Sequence, residues 1–325
     1  MNRRGFLGVL GVAPWFIAEV YGDPQDKVPR IGFLGRIPPN LSAEEELRKG
    51  LRELGYVEGK GILIEWRHTL GYDDELRPLA AELVRMKVEV IVTFGTPAAR
   101  AALEATKTVP VVFTAVGDPV ATGLTTSLAN PSANGTGISL LGAESATKRF
   151  DFLRQLSPRI RRVAYLGSLA NPATAPGVES MRAAAQSVGI KLDIYNARNA
   201  GEIESALRAI RWKSTDGVLV GGDPVFLAAG AKIAKAVRAA RVPAVFPWRE
   251  FHEYGVLMSY GPDWRDVLRR GAYYVDKILK GAKPADLPVE QVSKMDLILD
   301  LRVARELGIK VPQELLFRAD EVIRW

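Results

Sequence analysis

The pentapeptide IGFLG at residues 31–35 returns in altered form as VAYLG at residues 163–167, so the chain contains an internal repeat. The segment VPVVF at residues 109–113 returns in the same way as VPAVF at residues 242–246. The two pairs are separated by 132 and 133 residues. Spacing this constant indicates two similar structural units.

A longer repeated segment contains a strand and the turn that follows it. VIVTFGTP at residues 90–97 returns as VLVGGDP at residues 218–224, with the two prolines 127 residues apart. In both halves apolar strands alternate with amphipathic helices, which is typical of parallel sheets covered by helices. We therefore predict an α/β fold of two Rossmann-like lobes with parallel sheets, whose strand tips surround one cleft.

The chain is predicted to pass between the two lobes several times. We assign residues 28–142 and about 258–282 to lobe one, and residues 143–257 and about 283–325 to lobe two. Several connections side by side form a multi-crossing hinge with one main axis, about which the lobes can close like a shell. This geometry suits a clamp for a small molecule.

The N-terminus differs from the rest of the chain. Arg3 and Arg4 precede a short apolar stretch from Phe6 to Ile17, as in a secretory signal, and the paired arginines resemble a twin-arginine export signal. We predict a signal peptide at residues 1–22 and a periplasmic location, reached by the Sec or the twin-arginine route. The alternative is an N-terminal helix of a cytoplasmic protein.

Composition argues against several classes of function. The chain has no cysteine, which excludes thiol catalysis and zinc–thiolate sites, and its two histidines, His68 and His252, do not have metal-ligand spacing. The net charge of +7 is scattered rather than clustered, so we expect no nucleic acid partner. We expect no metal, no cofactor and no catalytic residue.

The strand tips contain the first candidates for ligand contact. Thr96, Pro97 and Ala98 form a strand-to-helix turn, where backbone amides and the helix dipole attract a carboxylate. Asp223 occupies the equivalent tip in lobe two, where it could pair with a ligand ammonium or simply cap its helix. An anion site opposite a cation site would suit an amino acid.

Further candidates follow other predicted strands. Asp118 lies after the strand at 109–114, Asn171 after the first strand of lobe two, and Trp248 after the strand at 243–246, where an aromatic ring could stack on a flat ligand or pack inside its lobe. Tyr260 lies at the proposed hinge. We include all four in the predicted ligand site.

Short segments in order along the chain resemble the ABC transporter substrate-binding proteins that include tryptophan- and tyrosine-type binding proteins. The matching segments are GLRELGYVEG at 50–59, GTPAA at 95–99, VGDPV at 116–120, LMSYGP at 257–262, YVDKILKG at 274–281, LPVEQ at 287–291 and RADEVI at 318–323. The resemblance implies the type I periplasmic binding-protein fold and delivery of a solute to a membrane permease. It does not identify the solute.

The sequence therefore favours a periplasmic solute receptor of an ABC importer. We expect a monomer that closes its lobes on a small carboxylate-bearing solute, with an amino acid as first choice and an aromatic side chain preferred. Two alternatives are a ligand-sensing receptor domain for a signalling partner and a cysteine-independent enzyme on the same scaffold.

Overall fold

The computed structural model describes residues 28–36, 43–69, 73–131, 134–140 and 142–324. The predicted signal peptide lies outside these residues. The strands are β1 Arg30–Arg36, β2 Leu63–Thr69, β3 Val90–Phe94, β4 Val111–Val116, β5 Gly135–Ser139, β6 Arg162–Gly167, β7 Lys191–Asn196, β8 Gly217–Val220, β9 Ala244–Phe246, β10 Met258–Gly261, β11 Glu290–Gln291, β12 Asp296–Asp300 and β13 Glu321–Ile323. The α-helices are α1 Ala43–Glu53, α2 Leu76–Arg85, α3 Thr96–Ala105, α4 Gly142–Leu156, α5 Thr174–Ser187, α6 Ala200–Ala209, α7 Pro224–Ala228, α8 Gly230–Ala240, α9 Trp264–Leu279, α10 Leu301–Leu307 and α11 Gln313–Arg318.

The predicted α/β fold with two parallel-dominated sheets is confirmed. The first sheet has the strand order β11-β5-β4-β3-β1-β2, and its neighbouring strands run parallel. The second has the order β13-β12-β10-β9-β8-β6-β7, in which β10 and β12 run antiparallel. The repeat in the sequence is visible in this topology, because β4-β3-β1-β2 in one lobe corresponds to β9-β8-β6-β7 in the other.

The strand pairing differs from the predicted lobe assignment at two places. Met258–Gly261 pairs with β9 and β12 in the second sheet, so it belongs to lobe two rather than to lobe one. Glu290–Gln291 pairs with β5 in the first sheet, so the chain returns to lobe two only after residue 291. Both strands extend an existing sheet and satisfy their backbone hydrogen bonds there. We therefore propose lobe boundaries near residues 262 and 292.

The helix between these two boundaries covers the first sheet. α9 packs against α1 and β4, and the contact with α1 is close because Gly50 has no side chain. A Cβ atom on Gly50 would lie 2.7 Å from the carbonyl oxygen of Arg269. Strands β3 and β5 are buried along their whole length, as strands covered on both faces should be.

Two features are absent from the described part of the chain. No helix within it combines the length and the apolar character needed to cross a membrane. No group of three His, Cys, Asp or Glu side chains within it could hold a metal ion.

Candidate ligand-binding site

A cavity of about 90 Å³ lies between the lobes. It is built at the carboxyl ends of the parallel strands, where ligands bind in open α/β sheets. Residues from both lobes line it: Arg36, Phe94, Gly95, Thr96, Pro97, Ala98, Ala115, Gly117, Leu140, Ser145, Ala146, Arg149, Tyr165, Asn171, Ala173, Thr174, Gly177, Gly222, Asp223, Pro224, Pro247, Trp248, Pro262 and Trp264.

The wall from lobe one contains the start of helix α3. Gly95 precedes the helix with φ of 87°, a conformation that favours glycine, and the first helical residues Thr96, Pro97 and Ala98 line the cavity. The Thr96 Oγ1 atom accepts a hydrogen bond of 2.9 Å from the Gly117 amide, which ties the turn to the neighbouring strand tip. The positive end of the helix dipole therefore lies at the cavity wall.

The wall from lobe two contains a buried carboxylate. Asp223 precedes helix α7, and its Oδ1 atom accepts a hydrogen bond of 3.1 Å from the Val225 amide, as a helix cap does. The same oxygen lies 2.5 Å from Nη2 of Arg36, which comes from lobe one, while Asn171 Nδ2 donates to Oδ2 at 3.0 Å. Asp223 is thus both a cap and one half of a buried ion pair between the lobes.

Arg149, on helix α4, is a second buried cation at the cavity. Its side chain lines the cavity and the residue is 6% exposed. Among the residues described by the structure, none forms an ion pair or a hydrogen bond with its guanidinium. Burial lowers the pKa of the Arg149 guanidinium.

Tyr165 completes the polar part of the cavity from strand β6. Burial raises its pKa to about 12, so the hydroxyl stays protonated at neutral pH. Two glycines leave room for its ring. A Cβ atom added to Gly167 would lie 2.2 Å from the Tyr165 ring, and one added to Gly221 would lie 2.8 Å from the Tyr165 hydroxyl. The strand sequence therefore allows a large side chain to reach the cavity.

Aromatic rings form an apolar side of the same cavity. Trp248 stacks on Phe251 with a centroid distance of 6.4 Å and an interplanar angle of 24°. Trp264 meets Phe94 edge to face, with centroids 6.1 Å apart. These rings are held in place by packing, so they offer fixed flat surfaces to a ligand.

Most of the residues predicted from the sequence do come together at this cavity. The predicted residues that line it are Thr96, Pro97, Ala98, Asn171, Asp223 and Trp248. Their contact with a ligand stays a prediction. The cavity as a whole has the mixed character of small-molecule sites, with apolar walls and a few fixed polar groups.

The structure places two predicted residues outside the cavity lining. Asp118 is exposed, and its carboxylate turns back to accept hydrogen bonds of 2.9 and 3.0 Å from the amides of Val120 and Ala121. The ring of Tyr260 packs edge to face on Phe152, with centroids 4.9 Å apart, inside lobe two. The carboxylate of Asp118 therefore stabilises its own turn, and the ring of Tyr260 packs in the core of lobe two.

The lining residues that were not predicted include Arg36, Arg149, Tyr165 and Trp264. Arg36 is the last residue of β1, so the rule that ligands lie beyond strand ends could have found it. Trp264 begins α9 directly after a lobe crossing, and Tyr165 belongs to the repeated strand. Arg149 has no signal in the sequence, because it is one of several basic residues on an amphipathic helix.

The comparisons with known proteins agree on one family. The profile described as ABC transporter substrate binding protein matches residues 38–323. A conserved domain protein from Vibrio cholerae is similar to this chain, with 28% identity and a TM-score of 0.85, over 91% of this chain and 100% of that one. An ABC domain from Streptococcus pneumoniae in complex with L-Trp has 27% identity and a TM-score of 0.83, over the same shares of the two chains.

A curated relative supports the same family. The tyrosine-binding protein of Clostridioides difficile is 23% identical over 279 residues, which is 84% of this chain and 78% of that protein. Since the family profile spans nearly all the described residues, this chain belongs to the ABC transporter substrate binding protein family.

Proposed function

We propose that this protein is the solute-binding component of an ABC importer and that it captures a small carboxylate-bearing solute between its lobes. It binds and releases the solute without catalysing a reaction. The observation that carries the proposal is Arg149, a buried guanidinium at the interlobe cavity that has no anionic partner among the described residues.

The electrostatics of the cavity favour an anion. A buried charge without a partner is costly, and a carboxylate can compensate a guanidinium through two parallel hydrogen bonds. The start of helix α3 adds a second attraction from the opposite lobe, through Thr96 and Ala98. A carboxylate held between these two groups would be bound by both lobes at once.

The apolar walls favour a flat, aromatic body for the solute. Trp248 and Trp264 line the cavity and offer ring surfaces. The relatives point the same way, since one was solved with L-Trp and another is a tyrosine-binding protein. An aromatic amino acid is therefore the first candidate from the family.

Closure of the lobes is the proposed capture step. The lobes already touch at Gly117 and Ala173, where a Cβ atom on Gly117 would lie 2.4 Å from that of Ala173. The Arg36–Asp223 pair also joins them. A solute that binds better to the closed form shifts the population toward it, and the permease can recognise that form. The predicted signal at residues 1–22 supports a periplasmic place for this step.

A thermal-shift screen on protein refolded free of bound solute tests this proposal. Aromatic carboxylic acids and amino acids should raise the unfolding free energy, by about 2.7 kcal/mol at a concentration one hundred times Kd. Sugars and polyamines are the controls. Stabilisation by these controls, with none from any carboxylate, would overturn the proposal.

A further inference from the structure

We propose that this site selects a carboxylate that lacks an α-ammonium group, because Arg36 already occupies the place where an ammonium would bind. The inference rests on the proposed function and deepens it by naming the class of solute. It goes against the amino acid that the relatives suggest. It is carried by the contacts of Asp223 and by the charge balance of the cavity.

Asp223 is the one acidic residue among the described residues that line the cavity, so a ligand ammonium would be expected to bind to it. Its carboxylate already accepts hydrogen bonds from Arg36, Asn171 and the Val225 amide. A carboxylate has about four acceptor positions, and these contacts use three of them. The side chains of Arg36 and Asp223 are 7% and 3% exposed, so their pair is shielded from water.

The charges of the lining residues lead to the same conclusion. Arg36 and Arg149 contribute two positive charges and Asp223 one negative charge, which leaves a formal charge of +1 among the described lining residues. A zwitterionic amino acid has no net charge and would leave this excess in place. A carboxylate without an ammonium group would neutralise it.

Repulsion adds to the charge imbalance. An ammonium near Asp223 would also lie near the guanidinium of Arg36, which is 2.5 Å from that carboxylate. Like charges brought together at a buried interface are strongly unfavourable, and this is a common means of rejecting the wrong partner. Arg36 is therefore a specificity-determining residue, acting from lobe one on a site in lobe two.

Calorimetric titration with matched pairs of ligands tests this inference. The pairs are indole-3-propionate with L-tryptophan, and 3-(4-hydroxyphenyl)propionate with L-tyrosine, so the ring is constant within each pair. Tryptamine serves as the probe with an ammonium and no carboxylate. In the wild-type protein each propionate should bind roughly tenfold or more tighter than its amino acid, and tryptamine should not bind.

Variants of Arg36 distinguish the effect of its charge on ligand selectivity from a general loss of structure. Arg36→Gln frees the charge of Asp223, so the preference for the propionate should fall by about tenfold. Arg36→Lys keeps the positive charge and should keep the wild-type ratio. Arg30→Gln, at the other end of the same strand and 41% exposed, is the matched control and should also leave the ratio unchanged.

The outcomes distinguish this inference from the function on which it rests. If wild-type protein binds the amino acids as tightly as the propionates, or more tightly, the inference is wrong while carboxylate capture stands. An unchanged ratio in folded Arg36→Gln also overturns it. If neither acids nor amino acids bind, the proposed function fails and the inference fails with it.

Discussion

Replacing Arg149 by methionine should weaken ligand binding and at the same time stabilise the ligand-free protein. The residue is 6% exposed and has no ion-pair partner among the described residues. A carboxylate bound there would be part of a desolvated charge pair. Loss of one partner from such a pair costs about 2–5 kcal/mol in binding, which corresponds to roughly 30-fold to several thousandfold in Kd.

The ligand-free protein responds in the opposite direction. A buried polar group that lacks a partner costs about 1–3 kcal/mol or more when it is charged, and methionine removes that cost while keeping an unbranched side chain. The free energy of unfolding of Arg149→Met should therefore rise by about 1–3 kcal/mol. A residue that merely supports the fold would show a fall instead.

Two assays and two control variants test this prediction. Calorimetric titration gives the affinity for an aromatic carboxylate, and urea unfolding of the ligand-free protein gives the stability. Arg149→Lys keeps the charge and should retain part of the affinity. Arg154→Met, on the same helix and 42% exposed, should change neither quantity. Intact affinity in Arg149→Met, or a loss of stability with no loss of affinity, would refute the reasoning.

Three further predictions follow from named contacts. Gly117→Ala places a methyl group against Ala173 of the other lobe. If the lobes close on the solute as proposed, affinity should fall by about 1–3 kcal/mol while the ligand-free melting temperature stays near that of the wild type; calorimetry and small-angle scattering check this, and tight binding by a compact variant would contradict it. Burial lowers the pKa of His252 from its ordinary value of 6.5 to about 4, so the unfolded chain binds more protons between these values and stability should fall by about 3 kcal/mol as the pH drops through this window. Unfolding curves from pH 7 to pH 4 should show a shallower fall in His252→Gln, and identical slopes in the two proteins would disprove it. Tyr260→Phe should leave the affinity within about twofold, since the ring lies outside the cavity against Phe152; a large loss measured by calorimetry would place the hydroxyl in the site after all.

The fold was predictable because the decisive signals are local and repeated. The apolar strands that begin with IGFLG and VAYLG became β1 and β6, which hold equivalent places in the two sheets. The sequence pattern predicts a helix over residues 264–279, and α9 has those bounds. The pattern also predicts one helix over residues 224–239, whereas the chain forms two helices there, α7 and α8, which are separated at Ala229. Such a break depends on packing against neighbours, which the local pattern does not reveal.

The lobe boundaries were less predictable for a physical reason. An apolar strand such as Met258–Gly261 can complete either of two similar sheets, and its composition is the same in both cases. Its partner is decided by the connections before and after it. The short strand Glu290–Gln291 has no apolar pattern at all, and it joins the first sheet through backbone pairing with β5.

The site was predictable only where it is built from strand tips. Thr96 and Asp223 were found because parallel strands bring their carboxyl ends to one edge. Asp118 follows a strand as well, but its carboxylate is satisfied by its own turn. Arg149 was missed because a basic residue on a helix is usually solvent-exposed, and its burial depends on how α4 packs across the second sheet.

A crystal structure of the mature protein with the solute that it carries from its own host tests the central claim most directly. We predict a small acid between closed lobes, with a carboxylate oxygen about 2.7–3.2 Å from a guanidinium nitrogen of Arg149. A solute without a carboxylate in the cavity, or an acid that makes no contact with Arg149, would contradict the claim.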